Sequence, residues 1–171
     1  MATILTYSKM QEIKKCSINN EDFLKQMIKE TEFSDFKKLV GRDIYNAIIS
    51  EISSGISTEL QAILNDGLYA TIAYLTYANY IQQSNAIDTA TGVRQKVLSD
   101  SEPVKLGQIK NMVIYFKDLA VEYYISVKNR LNQHFSSVCQ GNSARTDNFS
   151  EIIGVRRKEG SNGKKTEVII I

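Results

Sequence analysis

The sequence is poor in the residue types from which metal centres and covalent catalytic sites are most often built. Its 171 residues include one histidine, His134, and two cysteines, Cys16 and Cys139, which lie far apart and without CxxC spacing. This pattern is not that of a disulfide framework or a zinc site, and it is typical of a reducing compartment. The sequence also lacks a P-loop and a dinucleotide-binding fingerprint. We therefore expect no cofactor, no metal ion and no enzymatic activity.

Charge is missing from one long stretch of the chain. No residue from 67 to 87 carries a formal charge, although the stretch contains tyrosines and amides. Unpaired amides are costly to bury in lipid, so a membrane-spanning helix is not expected. A soluble protein must instead cover an uncharged helix with its own chain or with neighbouring subunits. The stretch predicts a helix buried in protein, and its Tyr74, Tyr77 and Tyr80 are candidate subunit-interface residues.

The composition predicts one folded domain. Apolar residues make up 43% of the chain and charged residues 23%, which supplies a core and is unlike a disordered chain. The net charge of +2 gives little long-range attraction to nucleic acid. The first residues lack the basic segment and apolar run of a secretion signal, which favours a cytoplasmic protein.

Apolar residues at helical spacing predict a mainly α fold, a helical bundle over residues 1–138. Gly41 and Gly55 are expected to end helices, Ser57 to cap the next one, and Ser34 to open a separate short turn. The last helix is expected to reach about 50 Å if it runs from Pro103 to Val138, at about 1.5 Å per residue. Its predicted buried stripe consists of Ile109, Val113, Phe116, Ala120, Tyr123, Val127 and Leu131.

Residues 88–103, between the two long helices, form an extended loop that is too long for a tight helical turn. Val93, Gln95 and Val97 alternate with basic residues as in a strand. A strand needs a partner for its backbone groups, so the loop is expected to pair with another segment of this chain or of a neighbour. The C-terminal tail is the favoured partner, and these three residues are further interface candidates.

Residues 139–171 are predicted to form a linker and a small β-forming C-terminal arm. Basic residues in the arm either contact DNA phosphates or solubilise an exposed turn, and intervening glutamates favour the turn. The candidate DNA-channel residues are Arg156, Arg157, Lys158, Lys164 and Lys165. The candidate partner-binding residues are Ile152, Ile153, Val155, Val168, Ile169, Ile170 and Ile171.

Two features have the spacing of catalytic groups but simpler interpretations. His134 lies near Cys139, as the base of a cysteine nucleophile would, yet it is interpreted as a surface residue or a residue of the C-terminal end of a helix. Asp118 and Glu122 lie four residues apart, as an acid and a base might, but lysines around them favour a solvated helix face.

Three segments together resemble one protein family. They are LYATIAYLTYANY at 68–80, TGVRQKV at 91–97 and YFKDLAVEYY at 115–124. Over residues 23–131 the chain resembles the head-tail connector, or adaptor, proteins of tailed bacteriophages. The resemblance implies a homo-oligomeric ring of about a dozen copies in the virion neck, assembled in the host cytoplasm. Its implied partners are the portal protein, tail or further neck proteins, and passing DNA contacted without specificity, but no membrane.

The C-terminal arm departs from the simplest form of that family, and it supports an alternative from a different class. A small helical DNA-binding or regulatory protein could use the same basic tail to bind nucleic acid. Salt-dependent binding by a monomer would distinguish this alternative from a closed ring.

Overall fold

The computed structural model describes residues 3–15, 21–84, 86–89, 92–95, 106–139, 155–157 and 168–170. The described part is mostly helical, which confirms the predicted mainly α class. Its α-helices are α1 (Tyr7–Ile13), α2 (Glu21–Thr31), α3 (Lys37–Val40), α4 (Arg42–Ser54), α5 (Thr58–Ile63), α6 (Tyr69–Ser84), α7 (Leu106–His134) and α8 (Ser136–Cys139).

Two antiparallel ladders lie outside the helices. Strand β1 (Ala86–Thr89) pairs with β2 (Gly92–Gln95), and β3 (Val155–Arg157) pairs with β4 (Val168–Ile170). The loop strand β2 thus finds its backbone partner in the residues just before it, not in the C-terminal tail as expected. A short connection makes this local pairing favourable because it costs little chain entropy.

Two π-helical segments join shorter helices into longer ones. The first π segment, Glu32–Phe36, links α2 to α3, and the second, Leu64–Leu68, links α5 to α6. The predicted break at Ser34 is therefore wrong, since the flanking Thr31 and Lys37 both have right-handed helical backbone angles. A π segment inserts one residue into the helical repeat and changes which side chains face the core without ending the helix.

The predicted helix ends are confirmed. Gly41 and Gly55 follow α3 and α4 with φ angles of 91° and 120°, which a residue with a side chain rarely adopts. The Ser57 hydroxyl accepts a hydrogen bond from the Leu60 backbone N–H at 3.2 Å, as expected of a residue that caps α5.

Helix α6 is the centre of the fold and is covered mainly by its own chain. It packs against α7, α2, α1 and both π segments. Two threonines in α6 are fully buried, and their hydroxyls donate to backbone carbonyls one turn earlier: Thr71 to Gly67 and Thr76 to Ile72. This pairing explains how an uncharged but polar helix is accommodated in a core.

Helix α7 packs along α6 and is about 44 Å long, from 29 residues at about 1.5 Å each. Its buried stripe includes Ile109, Ala120, Val127 and Leu131 as predicted. Tyr123 is an exception because it remains 36% exposed, and the adjacent Tyr124 occupies the buried position. In the described ranges, no helix combines the length and apolar character needed to cross a membrane.

Candidate functional site

Aromatic side chains from α6 and α7 meet along one edge of the helix pair. The Tyr74 ring stacks on Phe116 and Tyr123, with centroid distances of 6.1 and 5.6 Å. Tyr77 meets Phe116 edge-on at 4.8 Å. Such ring pairs hold each other in fixed orientations. We call this set the aromatic seam: Tyr74, Tyr77, Tyr80, Tyr115, Phe116 and Tyr123.

The inner side of the aromatic seam is fixed, and its outer side is open. Tyr74 and Tyr77 pack against the core. At the outer edge, Tyr115 is 61% exposed and Met112 is 42% exposed. Met112, Tyr115 and Tyr123 lie along one side of α7 because they are separated by three and eight residues. A contiguous apolar edge of this kind is a common feature of protein interaction sites.

The aromatic seam carries no charge of its own. Burial raises the pKa of Tyr74, and the neighbouring Tyr123 and Tyr115 raise it further, so its hydroxyl stays neutral near pH 7. A cation borders the aromatic seam, since the Lys14 ammonium lies 4.7 Å from the Tyr77 ring centroid and 5.3 Å from that of Phe116. These distances are typical of cation–π contacts.

The other predicted interface and arm residues are only partly described. Val93 and Gln95 lie in β2, opposite Asp88 and Ala86. Val155, Arg156 and Arg157 lie in β3, and Val168, Ile169 and Ile170 lie in β4. Val97, Ile152, Ile153, Lys158, Lys164, Lys165 and Ile171 lie outside the described residues. The proposed roles of these residues therefore stay predictions.

His134 is the C-terminal residue of α7, as predicted, and its side chain is only 14% exposed because it joins α7 to two other helices. Its Nε2 atom lies 2.9 Å from Glu51 in α4, and its Nδ1 atom lies 3.2 Å from Glu59 in α5. Burial lowers the pKa of His134, but the hydrogen bonds to the two carboxylates outweigh that effect and raise it. An imidazolium held between two carboxylates is poorly suited to act as a general base. We call this arrangement the histidine bridge.

Asp118 and Glu122 are exposed on α7, in agreement with the predicted solvated face. Burial raises the pKa of Asp118 and the charge of Glu122 raises it further. Within the described part of the chain, neither carboxylate makes an ion pair. They are therefore available to a cation from another molecule.

A buried carboxyl group in the first π segment was not predicted from the sequence. Glu32 is 1% exposed, and its two oxygens accept backbone N–H bonds from Ile4 at 3.1 Å and Leu5 at 2.7 Å. Burial raises the pKa of Glu32 to about 7, although both N–H bonds act in the opposite direction. We call this contact the N-terminal clasp. Its only sequence signal is a glutamate close to the apolar stripe of α2.

Among the residues that the structure describes, no group of three or more histidine, cysteine, aspartate and glutamate side chains is placed to hold a metal ion. A family model, DUF6712, described as a family of unknown function, matches residues 17–148. No curated protein gives a significant match to the chain, and no solved structure does so.

Proposed function

We propose that this chain, which belongs to the DUF6712 family of unknown function, is a structural subunit of a bacteriophage neck. Copies of it form a ring that joins the portal of the DNA-filled head to the tail and encloses the DNA passage. The protein acts through its shape and its contacts and catalyses no reaction. It is assembled in the host cytoplasm and resides in the virion.

The observation that supports this proposal is the open aromatic seam on two rigidly packed helices. Tyr115 and Met112 expose apolar surface that continues the aromatic seam, and a contiguous apolar surface of this kind is typical of a site that a partner covers. Interfaces are enriched in tyrosine, methionine and phenylalanine at their centres. Since the inner rings are fixed by stacking, a partner that covers the outer rings orders few additional side chains on binding.

Two parts of the chain have different roles in this ring. The helical bundle forms the rigid wall of the ring, and α7 runs along its height. The extended loop and residues 139–171 contact neighbouring copies, the portal or the tail. The short β1–β2 and β3–β4 ladders are consistent with extended backbone in both places.

The experiment compares the assembly of the purified protein with that of variants in the aromatic seam and of one control variant, by native mass spectrometry and electron microscopy. We expect closed rings for the wild type and a shift to small species for Tyr115→Glu, because the charge enters an exposed interface position without touching the core. Tyr74→Asp or Tyr77→Asp is a harsher change that also breaks ring stacking. The matched control is Ile56→Glu, at an exposed apolar position between α4 and α5, which should assemble normally.

A wild-type protein that stays monomeric, with or without purified portal, would contradict the proposal. Tight DNA binding by that monomer, with a steep loss of affinity as salt is raised, would instead favour the DNA-binding or regulatory alternative. Deletion of residues 142–171 should leave the helical content of the bundle unchanged by circular dichroism.

A further inference from the structure

We infer that neighbouring copies meet head to tail, with a basic aromatic patch around Phe33 of one copy seated on an acidic aromatic patch around Tyr115 of the next. The inference rests on the proposed self-assembly and adds which two surfaces of the subunit form the contact. It commits to a second copy of this chain as the occupant of both patches.

The basic patch lies on the first π segment and the start of α3. Phe33 is 59% exposed, and the Lys37 ammonium lies 4.4 Å from its ring centroid. Lys38, the next residue in the chain, is exposed. In the described part of the chain Lys37 has no ion-pair partner. The nearby Glu30 carboxylate accepts a hydrogen bond from Gln26 at 2.8 Å. We define the basic patch as Phe33, Lys37 and Lys38.

The acidic patch lies on the outer side of α7. Tyr115 is 61% exposed, and Asp118 and Glu122 follow it three and seven residues later, so all three project from the same side of the helix. The two carboxylates are like charges one turn apart, a pairing that is unfavourable until a cation lies between or beside them. We define the acidic patch as Tyr115, Asp118 and Glu122.

The elements that carry the two patches lie on opposite sides of α6. The Asn79 amide donates to Thr31 at 3.1 Å and to Asp35 at 2.8 Å, which places the first π segment on one side. Tyr77, two residues earlier and about 200° away around the helix, meets Phe116 of α7 on the other side. One subunit therefore cannot join its own patches. Two different patches on opposite sides form a heterologous contact, which generates a ring when the rotation between copies closes and a filament when it does not.

Charge selects this arrangement over the alternatives. Basic patch against basic patch, or acidic against acidic, would bring like charges together, whereas head-to-tail contact brings the Lys37 ammonium near carboxylates and stacks Phe33 against Tyr115. Exposed ion pairs add little affinity but strongly penalise the wrong partner. The apolar rings supply the attraction between copies, and the charges determine that the copies meet head to tail.

The test uses two variants of the full chain with reversed charge. The basic-side variant is Lys37→Glu with Lys38→Glu, and the acidic-side variant is Asp118→Lys with Glu122→Lys. We expect each variant alone to need at least about a tenfold higher concentration to assemble than the wild type, which native mass spectrometry and sedimentation would measure. An equal mixture should regain the wild-type concentration dependence, because each reversed patch then meets its complement.

Lys15→Glu with Arg42→Glu makes the same charge change at two exposed positions outside both patches and should assemble like the wild type. Unchanged circular dichroism would show that all variants fold. If both reversed variants assemble like the wild type, or if their mixture gains nothing, this contact is overturned while the ring proposal stands. A wild type that never self-associates would overturn the ring and this contact together.

Discussion

The two π segments interrupt two long helices in the same way, yet one brings a carboxyl group into the core and the other brings a backbone against a neighbouring helix. In the first, Glu32 turns inward and accepts N–H bonds from Ile4 and Leu5. In the second, the buried Gly67 faces α7 so closely that a Cβ atom there would lie 2.7 Å from the Tyr123 carbonyl oxygen and 2.8 Å from Val127. A shift in helical register can thus direct a polar side chain into the core, or it can bring a glycine backbone against a neighbouring helix.

This difference has a physical consequence for how each region responds to its surroundings. The N-terminal clasp depends on a titratable group, and its strength changes with pH. The contact at Gly67 depends on the absence of a side chain, and pH does not alter it. The contributions of these two contacts to stability can therefore be distinguished by measuring the unfolding free energies of single variants at several pH values.

The largest effect is expected for Glu32→Ala, which leaves two buried N–H groups without an acceptor and creates a cavity. We expect a loss of about 4 kcal/mol in the unfolding free energy at pH 5. The folded-state pKa of Glu32, about 7, lies above the unfolded value of 4.5, so the wild type loses about 3 kcal/mol as pH rises from 4.5 through 7. The deficit of the variant should shrink to about 1 kcal/mol at pH 8.

Urea unfolding at both pH values, followed by circular dichroism, would measure this deficit. Glu30→Ala removes an exposed glutamate two residues earlier and should change the unfolding free energy by less than about 0.5 kcal/mol. An equal deficit for Glu32→Ala at pH 5 and pH 8 would show that the buried carboxyl group does not titrate in this range.

The next effect is expected for Gly67→Ala, because the added methyl group meets a backbone oxygen and a β-branched side chain that have little room to move. We expect a loss of about 3 kcal/mol that is the same at pH 5 and pH 8. Gly107→Ala in α7 is the matched control, since its Cβ would meet nothing within 4 Å. There the better helix propensity of alanine should leave stability unchanged or raise it by up to about 1 kcal/mol. A tolerated Gly67→Ala would contradict the close approach of α7.

The sequence was sufficient to predict the helical class, the uncharged central helix and the glycine ends of α3 and α4, because each depends on local spacing and backbone preference. It could not place the π segments, since a one-residue shift in register arises from packing. Because the register shifts there, Ser34 was predicted to begin a separate turn, whereas the helix continues through it. The prediction that Tyr123 belongs to the buried stripe was wrong, because Tyr124 continues the three-and-four spacing between Ala120 and Val127 equally well and is the residue that is buried.

The candidate site was predictable only in part. Tyr74 and Tyr77 were identified from their uncharged surroundings, but the stacking with Phe116 and the exposure of Tyr115 depend on how α6 and α7 are aligned. The histidine bridge could not be predicted because His134 lies 83 residues from Glu51 and 75 residues from Glu59 in the sequence. Contacts over such separations follow from the fold and leave no local pattern.

The smallest effect is expected for His134→Gln. This variant tests whether the titration of a side chain also affects stability at the histidine bridge, whose helix α5 leads into the second π segment. The folded-state pKa of His134 is raised above its ordinary value of 6.5. Its stabilisation is therefore fully present below pH 6.5 and is lost as pH rises through the folded pKa. We expect a deficit of about 1 kcal/mol at pH 5.5 that declines by pH 9.

The deficit is the difference between wild-type and His134→Gln unfolding free energies, so the titration of Glu32, common to both proteins, cancels. Glu59→Gln is a milder variant for comparison. Because Glu59 is 62% exposed, we expect its substitution to produce only a fraction of the stability deficit of His134→Gln. A deficit that stays constant from pH 5.5 to pH 9 would mean that the imidazole is neutral and merely packs between α4, α5 and α7. In that case, of the two contacts only the N-terminal clasp would respond to pH, and the histidine bridge would stabilise the fold by packing, as the contact at Gly67 does.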